Sequence, residues 1–295
     1  MQSDGGGFYA YLVTPYDAKG DVDTGVLKEY VAAILDAGVA GVTCIASTCE
    51  GPYLSEQERQ TVAVTVGKAV GGRARLNIGI GALSTRLAIE NAMRARDAGA
   101  TSLMLEMQQY FPVSFESAYR HYESVAEAVP LPIRLYNLTL PTHFDFTPER
   151  IAEMAAIDAI QSVKEASGDV TRLRDIRALC GKRYKLHCGF HFQALDGARH
   201  GADGWEVMLH PLIAAQCIDL WRTLQADPWS PQGEALYRRL EPMFQFFRQS
   251  GVPQSIKAMS EWSGLQLGTP RAPYAELAPP EKERLKQILR ELELL

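Results

Sequence analysis

Ala159-Ile160-Gln161-Ser162-Val163-Lys164 is a short apolar run that ends on a lysine, and Leu131-Pro132-Ile133-Arg134-Leu135-Tyr136-Asn137, one repeat upstream, is a similar run that reaches a tyrosine. Runs of this length read as strands. As neighbouring parallel strands of a β/α barrel they project an amine and a phenol into one mouth, the end where barrel enzymes keep their chemistry. A lysine there is partly desolvated, which disfavours its charged form and frees the amine to attack a carbonyl. The pair therefore points to Schiff-base catalysis. The plainer alternative is a solvated strand-end lysine beside a core aromatic, and the flanking sequence weighs against it.

Outward from these two runs, short apolar segments alternate with amphipathic patterns, the rhythm of βαβ units and a parallel sheet. Strands are expected over 8–14, 41–46, 75–80, 102–106, 133–136, 160–164, 184–187 and 204–208, the number that a closed barrel needs. Helices are expected over 24–37, 55–70, 85–98, 114–128, 147–156 and 169–180. Ser55-Glu56-Gln57-Glu58 has the capping-box pattern, and Pro148 suits a first helical turn. After about Asp227 the strand signals stop, Pro228 and Pro231 break the chain, and helices are expected over 233–249, 253–262 and 280–294. The expected fold is α/β: a TIM (β/α)8 barrel over residues 1–226 with a C-terminal helical extension over 227–295.

The 295 residues suit one such barrel with an extension. Hydrophobic residues at 46% and charged residues at 22% match an ordinary globular enzyme. A net charge of −5 gives no basic footprint for nucleic acid or an anionic membrane, so a small-molecule substrate is the expectation. Cys44, Cys49, Cys180, Cys188 and Cys217 are odd in number and contain no C-x-x-C pair, which indicates neither a disulfide framework nor a structural zinc site. His187, His191 and His210 form no ligand-spaced set with carboxylates, and no metal or other cofactor is expected. Met1 to Gly7 are polar and glycine-rich, unlike a signal peptide, and no apolar run approaches the ~18 residues of a membrane-spanning helix. A cytoplasmic location is expected.

Four segments coincide with expected strand ends: Ala46-Ser47-Thr48-Cys49-Glu50-Gly51, Tyr110, Tyr136-Asn137, and Val163-Lys164-Glu165-Ala166-Ser167-Gly168-Asp169. In their order and spacing, and from Val13-Thr14-Pro15 to Ser255-Ile256-Lys257, the chain resembles the N-acetylneuraminate lyase and dihydrodipicolinate synthase family of class I aldolases. That family has a G-[ST]-T-G-E loop after its second strand, a Y-N motif after its fifth and a K-[DE]-x-x-G-[DN] motif after its sixth. The resemblance implies that Lys164 forms an imine with pyruvate or a related 2-oxo acid and that Tyr136 shuttles protons. It also implies that Thr48 and Tyr110 tune Tyr136, the latter across a subunit interface, and that Ser47 and Thr48 seat the pyruvyl carboxylate. A homodimer or homotetramer is the assembly implied.

The departures from the family pattern matter as much. Ala46 and Cys49 stand where the family has glycines; nothing basic in the sequence beside Cys49 would activate its thiol, so an inert packing role is expected. Synthases carry an arginine five residues beyond the tyrosine, for the carboxylate of aspartate semialdehyde, and here that position is Pro141. Proline offers no charged clamp. His143 is either a replacement for the cation or an ordinary loop histidine. In Gly204-Trp205-Glu206-Val207-Met208 strand alternation turns at most one of Trp205 and Glu206 inward, and Glu206 is expected to contact substrate. Cys188 and Phe190 are expected to form a dry wall of the pocket.

The function expected is a Schiff-base lyase of the aldolase or dehydratase type rather than a true dihydrodipicolinate synthase. The alternatives are a genuine 4-hydroxy-tetrahydrodipicolinate synthase and a non-catalytic paralogue that binds 2-oxo acids. A phosphate-dependent barrel would need a glycine-rich loop late in the barrel, and Gly201-Ala202-Asp203-Gly204 is too short and acidic for one.

Overall fold

Eight strands pair in parallel and in chain order: β1 (Gly7–Tyr11), β2 (Gly41–Cys44), β3 (Arg75–Gly79), β4 (Ser102–Glu106), β5 (Ile133–Asn137), β6 (Ile160–Glu165), β7 (Lys185–Cys188) and β8 (Gly204–Met208). β8 closes on β1, and the sheet is a TIM barrel. This is a computed structural model, and it describes residues 5–295; Met1 to Asp4, part of the polar N-terminal stretch, lie outside the described residues.

The helices are α1 (Thr24–Asp36), α2 (Glu56–Val70), α3 (Thr85–Asp97), α4 (Phe115–Ala128), α5 (Thr139–Thr142), α6 (Pro148–Glu153), α7 (Arg172–Cys180), α8 (Ala194–Arg199), α9 (Pro211–Ala226), α10 (Pro231–Ser250), α11 (Val252–Ser260) and α12 (Pro279–Glu291). Ser55 accepts from the backbone N–H of Glu58 while the Glu58 carboxylate accepts from the N–H of Ser55, which is the expected capping box. Three helices were not expected: α5, α8 and the long α9. Pro211 opens α9 in a first turn where no N–H is needed, and the same logic makes Pro231 the start of α10 rather than a break, with Ser230 as its cap. Among the described residues no helix is long and apolar enough to cross a membrane.

Period-two alternation divides each strand between two environments. Outward residues such as Leu103, Leu105, Leu135, Val163, Leu186 and Trp205 form the apolar layer under the helices. Trp205 packs edge-on against Phe8 and Phe244 and beside Trp221, so of the pair Trp205 and Glu206 it is Glu206 that turns inward. The inward set is polar for a barrel interior: Tyr9, Tyr11, Thr43, Asn77, Ser102, Glu106, Arg134, Ser162, Lys164, His187 and Glu206 are all buried. The C-terminal helices complete the barrel's surroundings, with α10 against α8 and α9, and α11 against β8 and the turn after β2.

Candidate active site

Cross-strand register brings the chemistry together. Glu106, Tyr136, Lys164 and His187 are paired in sequence across β4 to β7, so their side chains share the inner face. Lys164 is only 2% exposed, its Nζ 3.8 Å from the Tyr11 ring centroid and 4.2 Å from that of Tyr136. Burial pushes the Lys164 amine down, against the pull of the Glu206 carboxylate, to about 8. Gly189 leaves space for this side chain: a Cβ at that position would lie 2.8 Å from Lys164 Cε and 2.9 Å from Ala166 Cβ.

The partners of these two residues face the other way. Asn137 and Glu165 are also paired in register, and Asn137 Nδ2 donates to Glu165 Oε2 at 2.9 Å and to the Phe146 carbonyl at 3.1 Å, while its Oδ1 accepts from the Phe146 N–H. Glu165 also accepts from the Ser167 N–H. Each motif thus couples an inward reactive side chain to an outward one that pins the following loop. This explains why Tyr136-Asn137 and Lys164-Glu165 occur as dipeptides.

The turn after β2 supplies hydroxyls. Ser47 to Cys49 form one 3-10 turn, and Ile45 and Glu50 on either side of it adopt positive φ, 61° and 63°. A β-branched residue at such a φ is uncommon, and its cost is carried where a loop must be shaped for function. Gly51 is required below it, since a Cβ there would lie 2.0 Å from the Ile45 carbonyl oxygen. Ser47 Oγ donates to the Tyr136 hydroxyl at 3.5 Å. Burial pushes the Tyr136 phenol up, and the Ser47 hydrogen bond offsets part of that rise. The buried Cys49 thiol, which donates to the Thr43 carbonyl, is pushed up by burial to about 12 and stays protonated, in keeping with an inert role.

Beneath Lys164 lies a buried charge network that sequence reasoning missed, apart from Glu206 itself. The Glu206 carboxylate is bonded to the Arg134 guanidinium, lies 2.9 Å from His187 Nδ1, and accepts from the Tyr11 hydroxyl at 2.9 Å. Arg134 also donates from Nε to Ser162 Oγ and stacks over the Tyr9 ring. Burial raises the Glu206 carboxyl, but Arg134 and His187 overcome this and hold it at about 2. Glu206 is therefore engaged with protein groups inside the barrel, and it does not line the cavity at the mouth.

That cavity, of about 360 Å³, is bounded by Ser47 and Thr48 on one side and by Gln108, Leu138 and Pro141 on the other. Ser47, which donates to Tyr136, and Glu106, which is in register with it, both line this cavity, so it opens at the C-terminal ends of the strands, where a barrel keeps its active site. The sequence model of the Dihydrodipicolinate synthetase family matches residues 4–292. The chain belongs to that family. A 4-hydroxy-tetrahydrodipicolinate synthase from Prochlorococcus marinus (strain NATL2A) is 30% identical over 96% of this chain and 94% of its own length. The crystal structure of a dihydrodipicolinate synthase from Agrobacterium tumefaciens superposes with a TM-score of 0.91 at 28% identity, covering 97% of this chain and 98% of that one. The Acinetobacter baumannii dihydrodipicolinate synthase, solved in complex with pyruvate, superposes with a TM-score of 0.92 at 27% identity over 99% of both chains.

As a lyase of the dihydrodipicolinate synthetase family, the chain shows several local features of its own. Tyr110 is 84% exposed and makes an edge contact with the exposed Phe111. Pro141 lies at the cavity edge, and among the described residues no arginine lines the cavity: Arg172 is held by both oxygens of Asp145, and Arg174 pairs with Asp175. His143 is an exposed residue at positive φ that ends α5. Cys188 does not form a pocket wall, because it faces α8, where a Cβ on Gly197 would lie 2.7 Å from its Sγ. Phe190 stacks on Phe192, and its carbonyl accepts from Trp205 Nε1.

Proposed function

We propose that the protein is a Schiff-base-forming lyase of the aldolase or dehydratase type, in which Lys164 condenses with the C2 carbonyl of pyruvate or a related 2-oxo acid. The observation that carries this reading is the Lys164 amine, buried at the barrel mouth between two phenol rings and brought to about 8. Neutral Nζ attacks C2, and the carbinolamine takes up a proton and loses water, giving an iminium that acts as an electron sink. Loss of a C3 proton then gives an enamine, which forms a bond to a second carbonyl; in the reverse direction the same bond breaks. Tyr136 is the proton carrier, within reach of the Ser47 hydroxyl. The hydroxyls of Ser47 and Thr48 and the amides of their turn are the seat for the 2-oxo acid's carboxylate. The pyruvate complex of the Acinetobacter baumannii relative supports the choice of reactant.

Tyr110, exposed at the rim, is proposed to act across the interface of a homodimer or homotetramer, completing the Tyr136 and Thr48 relay in its partner. Glu206 supports Lys164 through charge instead of contacting substrate. Aspartate semialdehyde is a poor second reactant on this reading, because the mouth has proline at 141 and its nearby arginines are paired. Exchange of the pyruvate methyl protons in D2O tests the enamine step. It should be catalysed by the wild type and abolished in Lys164→Arg; exchange that survives this substitution contradicts the assignment. A wild type that binds pyruvate without exchange would be a non-catalytic paralogue, and a kcat/KM above ~10⁴ M⁻¹s⁻¹ with aspartate semialdehyde would make it a genuine synthase.

A further inference from the structure

Glu106 ends β4 on the inner face, in register with Tyr136, and is 2% exposed. Its Oε1 accepts from Gln108 Nε2 at 3.0 Å, whereas its Oε2 is buried with no partner among the described residues. A buried carboxylate oxygen left unpaired is costly unless something else occupies it. Glu106 is also part of the mouth cavity, together with Ser47 and Thr48. Gly81 makes way for it, since a Cβ there would lie 2.6 Å from the Glu106 carboxyl. Burial pushes this carboxyl above the usual range, with Gln108 offsetting part of the effect.

The rest of the cavity tells what is missing. Its polar members are hydroxyls and amides, including those of Ser47, Thr48, Gln108, Gln109 and Thr142, and among the described residues no lysine, arginine or histidine lines it. A second reactant bearing a carboxylate would find no counter-charge there and would meet Glu106. One bearing hydroxyls would bring a donor to the Glu106 carboxylate, which is part of the lining. The geometry points to Glu106 as the residue that selects the second reactant, by accepting a hydrogen bond from a hydroxyl of an uncharged hydroxyaldehyde or of the corresponding half of a 4-hydroxy-2-oxo acid. This rests on the Schiff-base reading of Lys164 and names the substrate class for it.

The test is condensation of pyruvate with glyceraldehyde, with propanal, which has the same carbon count and no hydroxyls, and with succinic semialdehyde, which carries a carboxylate. The readout is the ratio of kcat/KM values, so that general damage in a variant cancels. The wild type should prefer glyceraldehyde over propanal by ~10–100-fold, the value of one hydrogen bond to a buried charged acceptor, and should disfavour succinic semialdehyde. Glu106→Val should bring the glyceraldehyde to propanal ratio to within about threefold of one, and the isosteric Glu106→Gln should lower it at least severalfold even if the valine variant fails to fold. An unchanged ratio in either variant, a wild-type preference for succinic semialdehyde, or no condensation with any of the three overturns the inference. Borohydride trapping of pyruvate is run alongside: intact trapping with an unchanged ratio overturns the role of Glu106 alone, whereas absent trapping in the wild type removes the Lys164 reading and this inference with it.

Discussion

Lys164 is held between opposing pressures, and its pH dependence should reveal both. Burial favours the neutral amine and Glu206 favours the ammonium, with a balance at about 8. The rate of pyruvate capture should therefore rise about tenfold per pH unit below about 8 and flatten above it. Glu206→Gln removes the charge that raises the lysine, so the limb should move to lower pH. A purely structural role for Glu206 would leave the limb where it is. The same substitution leaves Arg134 buried without its carboxylate, and should cost ~3–5 kcal/mol in denaturant unfolding. Tyr136→Phe should lower kcat by ~10²–10⁴-fold while sparing the affinity for a pyruvate analogue; a change confined to KM would make Tyr136 a binding residue. Lys164 and Tyr136 are legible in the sequence because each lies at or near the end of an apolar run. Tyr11, Arg134 and His187 are not, because they belong to β1, β5 and β7 and meet Glu206 only when the barrel closes. Glu106 carries no local signal beyond being a carboxylate at a strand end.

At the scale of elements, the loops after the strands are fixed from outside the barrel. The Glu50 carboxylate, at the end of the Ser47 turn, accepts from the Arg271 N–H and pairs at 2.8 Å with Lys257 on α11, both side chains being at most 1% exposed. Lys257 also donates to the Thr269 carbonyl, so the C-terminal helices hold the turn that presents Ser47 to Tyr136. Lys257→Met leaves Glu50 buried and unpaired by its cation, and should cost ~3–5 kcal/mol. A loss below ~1 kcal/mol in urea unfolding would show that this pair does not hold the turn. On the β7 side, Gly189→Ala should displace the Lys164 stem and reduce pyruvate capture by about 10²-fold, as small misplacements of a reacting group do. Element limits were legible wherever a cap marks them, as at Ser55 and Ser114. They were less so at α9, which was not expected, and at α10, where Pro231 was expected to break the chain and instead sits in the first turn.

Across the whole molecule, buried histidines are one source of acid sensitivity in the fold. Burial pushes His191 to about 4 and His210 to about 3; His191 is packed against Phe247 and bonded to the Met208 carbonyl, and His210 caps α9 by accepting from the Leu212 N–H. Below pH ~6.5 the unfolded chain takes up protons that these folded imidazoles refuse, so stability falls as pH drops, by ~1.4 kcal/mol per unit for each histidine. Glu106 and Glu165, raised by burial, act in the opposite sense as pH drops toward their folded values. His210→Asn, which retains a capping side chain, should reduce the slope between pH ~6 and ~4 by ~1.4 kcal/mol per unit; an unaltered slope would show that His210 does not contribute to it. The closed barrel itself was legible because eight apolar runs at regular spacing admit few other arrangements, whereas its polar interior follows from register. Imine formation at Lys164 is tested most directly by borohydride reduction in the presence of pyruvate, followed by peptide mass analysis. One reduced pyruvyl adduct is expected, located on Lys164 and absent from Lys164→Arg. An adduct on another lysine, or none in the wild type, would contradict it.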